Sequence, residues 1–167
     1  MKQNERVIIC GGGPVGAVTA LALVQQGIPV TVIESFEEPP KDPRAATLHP
    51  STLEMLDTLG LAEGILQRGL HAPAFQFRDR KSQEIVAVFD MAHIADETKF
   101  PLAVQYEQWK LVRDGLAALE EYDIADVRLG NSVTAFSQDY DGVTVVAENA
   151  DGELEKIEGR YLIACDG

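Results

Sequence analysis

The stretch from Val7 to Glu34, VIICGGGPVGAVTALALVQQGIPVTVIE, constrains the fold more than any other part of the chain. Val7-Ile8-Ile9-Cys10 is too short for a helix and β-branched enough for a buried strand. Gly11-Gly12-Gly13-Pro14-Val15-Gly16 follows at once and places glycines at the three fixed positions of a G-x-G-x-x-G pattern. Val15 to Gln26 is small and apolar, as a helix packed closely on a sheet must be. Gly27 stops that helix, and Ile28 to Ile33 reads as a second strand ending on Glu34. Strand, glycines, helix, strand and acid in this order predict a parallel βαβ unit that holds a dinucleotide. Gly11 permits the tight turn, Gly13 lets a pyrophosphate approach the backbone, and Gly16 lets helix and strand pack closely. The N–H groups and partial positive charge of the helix start then hold the phosphates. Glu34 lies 18 residues after Gly16, near the spacing of about 20 at which a carboxylate reaches a ribose. An acid here favours a free 2′-hydroxyl over a 2′-phosphate.

Downstream, Ser35 to Pro43 is charged and rich in proline and predicts an irregular connector. Arg44 and His49 then precede a helix on which Leu53, Leu56 and Leu59 share a face, with Ser51 or Thr52 as cap and Gly60 as stop. From Ala74 to Met91 the period becomes two around the charged turn Asp79-Arg80-Lys81-Ser82, which predicts a β-hairpin. Its aromatic face suits a wall over a ligand or ordinary core packing. His93, Asp96 and Glu97 fit no metal-ligand spacing and read as an exposed loop. Gln105 to Glu121 has helical spacing, with Trp109, Val112, Leu116 and Leu119 on one stripe. Val127 to Leu129 reads as a third parallel strand. Three alternating runs, beginning at Ser132, Gly142 and Leu154, form an antiparallel meander. Arg160 to Cys165 is continuous and apolar, as a buried parallel strand should be. It stops at Asp166-Gly167, where ligands of open α/β sheets bind, so the expectation is a truncated domain.

Composition narrows the partners. A formal charge of −13 argues against nucleic acid and anionic membranes. No run of 18 apolar residues occurs and the first six residues lack the apolar core of a signal peptide, so a cytoplasmic protein is expected. Cys10 and Cys165 are too few for a disulfide framework. Each closes an apolar strand, which fits small buried thiols, or a redox pair if the two strands are neighbours.

With these residues in hand, the chain resembles the N-terminal part of the FAD-dependent aromatic hydroxylases, the single-component flavoprotein monooxygenases typified by para-hydroxybenzoate and phenol hydroxylases. Three elements carry the likeness: the Gly11 to Glu34 fingerprint, the segment from Pro43-Arg44-Ala45 to Leu59-Gly60-Leu61, and the terminal Ala164-Cys165-Asp166-Gly167. The resemblance implies an α/β, Rossmann-like FAD-binding fold with a parallel sheet, an antiparallel three-strand meander and part of an inserted substrate-domain β-sheet. Residues 1–73 and 99–167 would be an incomplete FAD-binding domain, and 74–98 the inserted hairpin. FAD would be held by Gly11, Gly13, Pro14, Val15 and Gly16 at its phosphates and by Glu34, with Ser35 beside it, at its adenosine ribose. Arg44 would sit near the pyrophosphate and flavin, Gln105 near the ribose or ribityl region, and Asp166 in a motif linked to the phosphates and to use of reduced nicotinamide.

The implied reaction is NAD(P)H reduction of FAD, capture of O₂ as a flavin hydroperoxide, and hydroxylation of a small phenolic or other aromatic substrate. The flavin carries the hard chemistry, so no catalytic side chain and no metal is assigned. Two departures stand out. Asp42 occupies a position where some members carry a second arginine, which leaves Arg44 alone at the pyrophosphate. The later Gly-Asp motif and the rest of the substrate domain do not occur in this chain, so the fragment alone is expected to be inactive and to expose apolar surface that favours self-association as a homo-oligomer. Two other readings share the first 34 residues: a nicotinamide-dependent dehydrogenase domain and a non-catalytic FAD- or ADP-binding remnant.

Overall fold

The computed structural model describes residues 5–41 and 44–166; Asp42, Pro43 and Gly167, which entered the sequence argument, lie outside the described residues. In chain order the elements begin with β1 (Val7–Cys10), α1 (Pro14–Gln25) and β2 (Val30–Glu34). Then come β3 (Thr47–Leu48), α2 (Pro50–Thr58), α3 (Ala62–Arg68), β4 (Leu70–Ala72), β5 (Ala74–Arg78) and β6 (Ile85–Asp90). A 3₁₀ turn over Met91–Ile94 leads to β7 (Ala103–Gln105) and α4 (Gln108–Leu119). The chain closes with β8 (Ala125–Leu129), β9 (Ser132–Gln138), β10 (Val143–Glu148), β11 (Leu154–Gly159) and β12 (Tyr161–Ala164). It divides into two compact units, Met1–Asp42 with Trp109–Gly167, and Pro43–Gln108.

The first unit is built on a parallel sheet in the order β12-β1-β2-β8. Ile8, Ile9, Val30, Val32 and Ile33 are fully buried, as expected where both faces of a parallel sheet are covered. One face meets α1, whose Ala17, Ala20, Leu21 and Val24 are buried. On the other, Ile8 and Ile33 pack with Val145, Ala147 and Ile157 of the antiparallel meander β11-β10-β9. The result is a helix, sheet and meander in three layers. Gly27, at φ +76°, ends α1: its N–H bonds Val24 O at 2.9 Å while Ile28 N–H reaches Leu23 O at 3.0 Å. This left-handed closure is the reason glycine stands there.

At the amino edge of the sheet, Arg6 is a clamp. Its Nε donates to Thr31 Oγ1 at 3.0 Å and its Nη2 to the carbonyls of Val30 and Ile124, the latter at 3.0 Å. Thr31, itself buried, is thereby satisfied. Arg128 joins Asp126, at 2.9 Å, to Glu155 of β11, at 2.6 Å. Burial works against its charge, but these two hydrogen bonds prevail and hold the guanidinium above its ordinary range.

The second unit contains the sheet β3-β7-β4 and the separate hairpin β5-β6. The hairpin forms as the alternation predicts, with Phe75 opposite Phe89 and Phe77 opposite Ala87. Its side chains do not form a core: Phe77, Ile85, Val86, Val88 and Phe89 are all more than half exposed. Four further features depart from the sequence reading. The helix after Arg44 is capped by His49, not by Ser51 or Thr52, because Pro50 with its fixed φ supplies the first helical position and His49 O accepts from Leu53 N–H at 2.9 Å. Gln105 lies in strand β7, not in a helix, since its backbone is paired with Thr47 on one side and Leu70 on the other. Helix α4 therefore starts at Gln108, and its buried stripe is Leu111, Val112, Gly115 and Leu119, with Trp109 and Leu116 half-buried. Strand β12 is not deeply buried: it takes an edge of the sheet and leaves Tyr161 62% exposed. No helix among the described residues is long and apolar enough to cross a membrane, which says nothing of strands.

Candidate nucleotide-binding site

The three pattern glycines each meet a different steric demand. Gly11 adopts φ +99°, and a Cβ there would lie 2.6 Å from Cys165 O and 2.9 Å from Asp166 N. The turn is thus tight in its own backbone and also pressed against the strand end that follows β12. A Cβ on Gly16 would overlap the Gly11 carbonyl oxygen and stand 3.4 Å from Ile9 Cγ2, so helix and strand approach as closely as a missing side chain allows. At Gly13 a Cβ would meet nothing within 4 Å. That position faces open space at the very start of α1.

The start of α1 is equipped for an anion. Gly13 is the N-cap, no side chain caps the helix, Pro14 sits in the first turn, and no acidic residue lies there. Val15 is 63% exposed at this end. The amides of the first turn therefore look out from a helix that carries positive potential and no internal acid to satisfy it.

Glu34 closes the site from the end of β2. Its Oε2 accepts from Gly12 N–H at 2.6 Å, and its Oε1 accepts from Phe36 N–H at 2.9 Å and Ser35 Oγ at 3.1 Å. An ionised carboxylate offers about four acceptor positions, so three internal donors fix its orientation and leave it one more. Sequence reasoning found Glu34 and Ser35 but missed Gly12. The available signal was the unbroken Gly11-Gly12-Gly13: a Cβ on Gly12 would stand 2.9 Å from Glu34 Cβ.

Gly11, Gly13, Pro14, Val15, Gly16, Glu34, Ser35 and Asp166 are thus all found at the carboxyl edge of the first unit's sheet. Cys10 and Cys165 meet there too, as the backbone bond from Cys165 N–H to Cys10 O at 2.7 Å records. Both are free thiols. Burial raises the Cys10 thiol, helped by the charges of Asp166 and Glu34 and by Cys165. Burial and Asp166 do the same to Cys165. Both groups are accordingly neutral and poor nucleophiles at ordinary pH.

Arg44 and Gln105 belong to the second unit. Arg44 is exposed just before β3. Gln105 Oε1 accepts from Thr47 Oγ1 at 3.0 Å across the β3-β7 pair. His49 stacks on Phe75 with ring centres 6.0 Å apart, which is a packing role. Among the described residues no group of three or more His, Cys, Asp or Glu is placed to hold a metal ion.

The family model for the FAD binding domain matches residues 4–167. The chain belongs to that family. Its match runs far past the first 34 residues that a dehydrogenase would share. Among relatives, this FAD-binding domain is 30% identical over 167 residues to para-nitrophenol 4-monooxygenase of Pseudomonas sp. (strain WBC-3), covering 100% of this chain and 41% of that protein. It is also 30% identical to 3-(3-hydroxy-phenyl)propionate/3-hydroxycinnamic acid hydroxylase of Escherichia coli, covering 100% of this chain and 30% of the other. The crystal structure of p-nitrophenol 4-monooxygenase from Pseudomonas putida DLL-E4 superposes with a TM-score of 0.93 at 31% identity, over 100% of this chain and 42% of that one. Aklavinone-11 hydroxylase, solved with FAD and aklavinone, gives 0.85 at 27% identity, over 100% and 34%. The FAD-binding domain described here thus spans about two fifths or less of the length of these relatives.

Proposed function

We propose that this FAD-binding domain holds FAD for an NAD(P)H-dependent monooxygenase that hydroxylates a phenolic or other small aromatic substrate with O₂. The observation that carries the cofactor assignment is the open space at Gly13, beneath the uncapped start of α1 and beside an oriented carboxylate. The donor set fits: backbone N–H groups for phosphates and an acid for ribose hydroxyls. The relatives named as monooxygenases and hydroxylases support the reaction class.

Bound FAD supplies the redox chemistry, accepting reducing equivalents from the nicotinamide coenzyme and activating O₂. The protein's own part is to bind and orient. Gly11, Gly13, Pro14, Val15 and Gly16 receive the pyrophosphate, Glu34 offers its remaining acceptor position to the adenosine ribose, and Ser35 keeps the carboxylate turned toward it. We assign Arg44 to the region of the pyrophosphate and flavin, Gln105 to the ribose or ribityl region, and Asp166 to the phosphate side. In domain terms we assign 74–98 to the substrate-facing sheet and the rest of the chain to the cofactor.

Titration of FAD into the chain, followed by flavin fluorescence, is the direct test. Glu34→Ala should weaken binding by about 1.5–3 kcal/mol, the range for a hydrogen bond to a charged group. Unchanged affinity would remove Glu34 from the site. For the reaction, the protein that carries this domain should consume NAD(P)H and O₂ in equal amounts as a phenol is hydroxylated; oxidation of coenzyme without any hydroxylated product across a panel of phenols would count against it.

A further inference from the structure

Strand β7 fixes the backbone of Gln105 and leaves its side chain free. The residue pairs with Thr47 of β3 on one side and Leu70 of β4 on the other, and the next N–H, of Tyr106, reaches Ala46 O at 2.6 Å. Packing is close as well, since a Cβ on Gly69 would overlap Val104 Cγ1 and stand 3.2 Å from Gln105 O. The Gln105 Cα therefore has a fixed place. Its terminal amide does not have a fixed orientation from this alone, because that torsion in a glutamine is broad and nearly two-fold, so oxygen and nitrogen can exchange places.

Thr47 removes that freedom. It lies directly opposite Gln105 across the β3-β7 pair, so the two side chains share a face of the sheet. Its Oγ1 donates to Gln105 Oε1 at 3.0 Å, and its branched β-carbon restricts χ1, which makes the hydroxyl a stiff anchor. On the other flank Leu70 has no polar side-chain group to offer. A hydroxyl has one proton to give, and giving it to Oε1 leaves the Nε2 end of the amide as the end that faces away. Its two N–H bonds meet no acceptor among the described residues. Thr47 is exposed and Gln105 half-buried, so the pair is within reach of a ligand.

We propose that Thr47 is a positioning residue for the cofactor: by holding Gln105 Oε1 it presents the N–H bonds of Gln105 Nε2, as oriented donors, to an oxygen in the ribose or ribityl part of FAD. The inference rests on the assignment of Gln105 to that region under the proposed function. The hydroxyl oxygens of that region accept from an amide N–H. Ordering a long polar side chain during binding weakens association, and an amide already ordered by Thr47 avoids that loss. The threonine acts through Gln105.

Titration of FAD into the chain, followed by flavin fluorescence, reads the effect. Thr47→Val removes the hydroxyl and keeps the branched shape suited to a strand; FAD affinity should fall about three- to tenfold, the scale of one neutral hydrogen bond, with the urea midpoint unchanged. Thr47→Ser should restore the parent affinity. Gln105→Glu keeps an acceptor for Thr47 and loses both donors, so it should weaken FAD binding more than Thr47→Val does. In a Gln105→Ala background Thr47→Val should make no further difference, because no amide is left to orient. Parent affinity in Thr47→Val, an equal loss in Thr47→Ser, or the full loss repeated in the Gln105→Ala background overturns the inference. So does parent affinity in Gln105→Glu, which would turn the acceptor end toward the cofactor. If Gln105→Ala itself binds FAD as the parent does, the assignment of Gln105 falls and the positioning role falls with it; if Gln105→Ala weakens binding and Thr47→Val does not, the positioning role alone is lost.

Discussion

The glycine turn of the first unit and the β5-β6 hairpin of the second are opposite solutions to the same problem of making a short connection. In the turn almost every atom is spoken for: Gly11 presses on Cys165, Gly16 on Gly11, and Gly12 on Glu34, with space left only at Gly13. In the hairpin the backbone is paired and the turn is well tied, since Asp79 accepts from the N–H groups of Lys81 and Ser82 and is held below its usual range by those bonds. Yet Val86 is 72% exposed and Phe77 61%. The turn is specified sterically from within, whereas the hairpin has a defined backbone and apolar faces left in solvent. Steric closure makes the first intolerant of change, and the second should tolerate it.

The largest effect should come from Gly16→Ala. The added methyl meets a backbone carbonyl that cannot rotate away, so a loss of about 3 kcal/mol or more is expected in urea denaturation, at the upper end of what overpacking costs. A variant within about 0.5 kcal/mol of the parent would show that helix and strand can slide apart. Gly13→Ala sharpens the contrast, because this glycine has φ −64° and open space around it. Stability should stay within about 0.5 kcal/mol while FAD affinity falls at least tenfold, about 1.4 kcal/mol, if the methyl takes the space proposed for the phosphates. Equal losses in both measurements would erase the distinction between structural and binding glycines.

A smaller effect concerns the two thiols beneath the turn. Their folded-state ionisation is raised from an ordinary value of 9.0. The neutral thiols' contribution is therefore complete below that value and is lost as pH rises through the folded-state range. Cys10→Ala should flatten the alkaline end of a stability profile and leave neutral pH nearly untouched by comparison. A profile that falls equally steeply in the variant would assign the alkaline loss to other groups. The smallest change in stability should follow Phe77→Ser with Val86→Thr, within about 0.5 kcal/mol for exposed positions. Sedimentation should nevertheless show less self-association than in the parent. A destabilisation above 1 kcal/mol would mean the hairpin faces are packed after all.

Most of the first unit was legible because its signals are local. The β-branched run at Val7, the glycines and Gly27 set strand, turn, helix and stop within 28 residues, and the alternation from Ser132 to Ile157 set the meander. What escaped was non-local. Thr47-Leu48 and Leu70-His71-Ala72 are too short to carry a period, and become strands only because Ala103–Gln105 lies between them. Gln105 has the helical spacing of its downstream neighbours, but pairing on both sides overrides it. Glu34 could be found by counting, but the Gly12 N–H that orients it could not, since a hydrogen bond across 22 positions leaves no periodic trace. Arg160–Cys165 shows the limit of apolar content as a guide: continuous hydrophobicity marks a parallel strand correctly and says nothing about whether it lies at the centre or the edge.

The contact between Gly11 and Cys165 also bears on how the fold is reached in time. Strand β1 pairs with β2 after one helix, a loop closed early and quickly. Its other neighbour, β12, pairs Tyr161 with Val7, so that edge must wait until Tyr161 has been made, long after β2. Long-range parallel pairing of this kind is slow, and during synthesis the open side of β1 has no partner to protect it. The backbone shelf that fixes the Gly11 turn arrives with the same late step. Competence to receive a nucleotide should therefore appear after the βαβ unit has formed, and ligand binding during refolding should lag behind the gain of helix signal by the time β12 takes to dock.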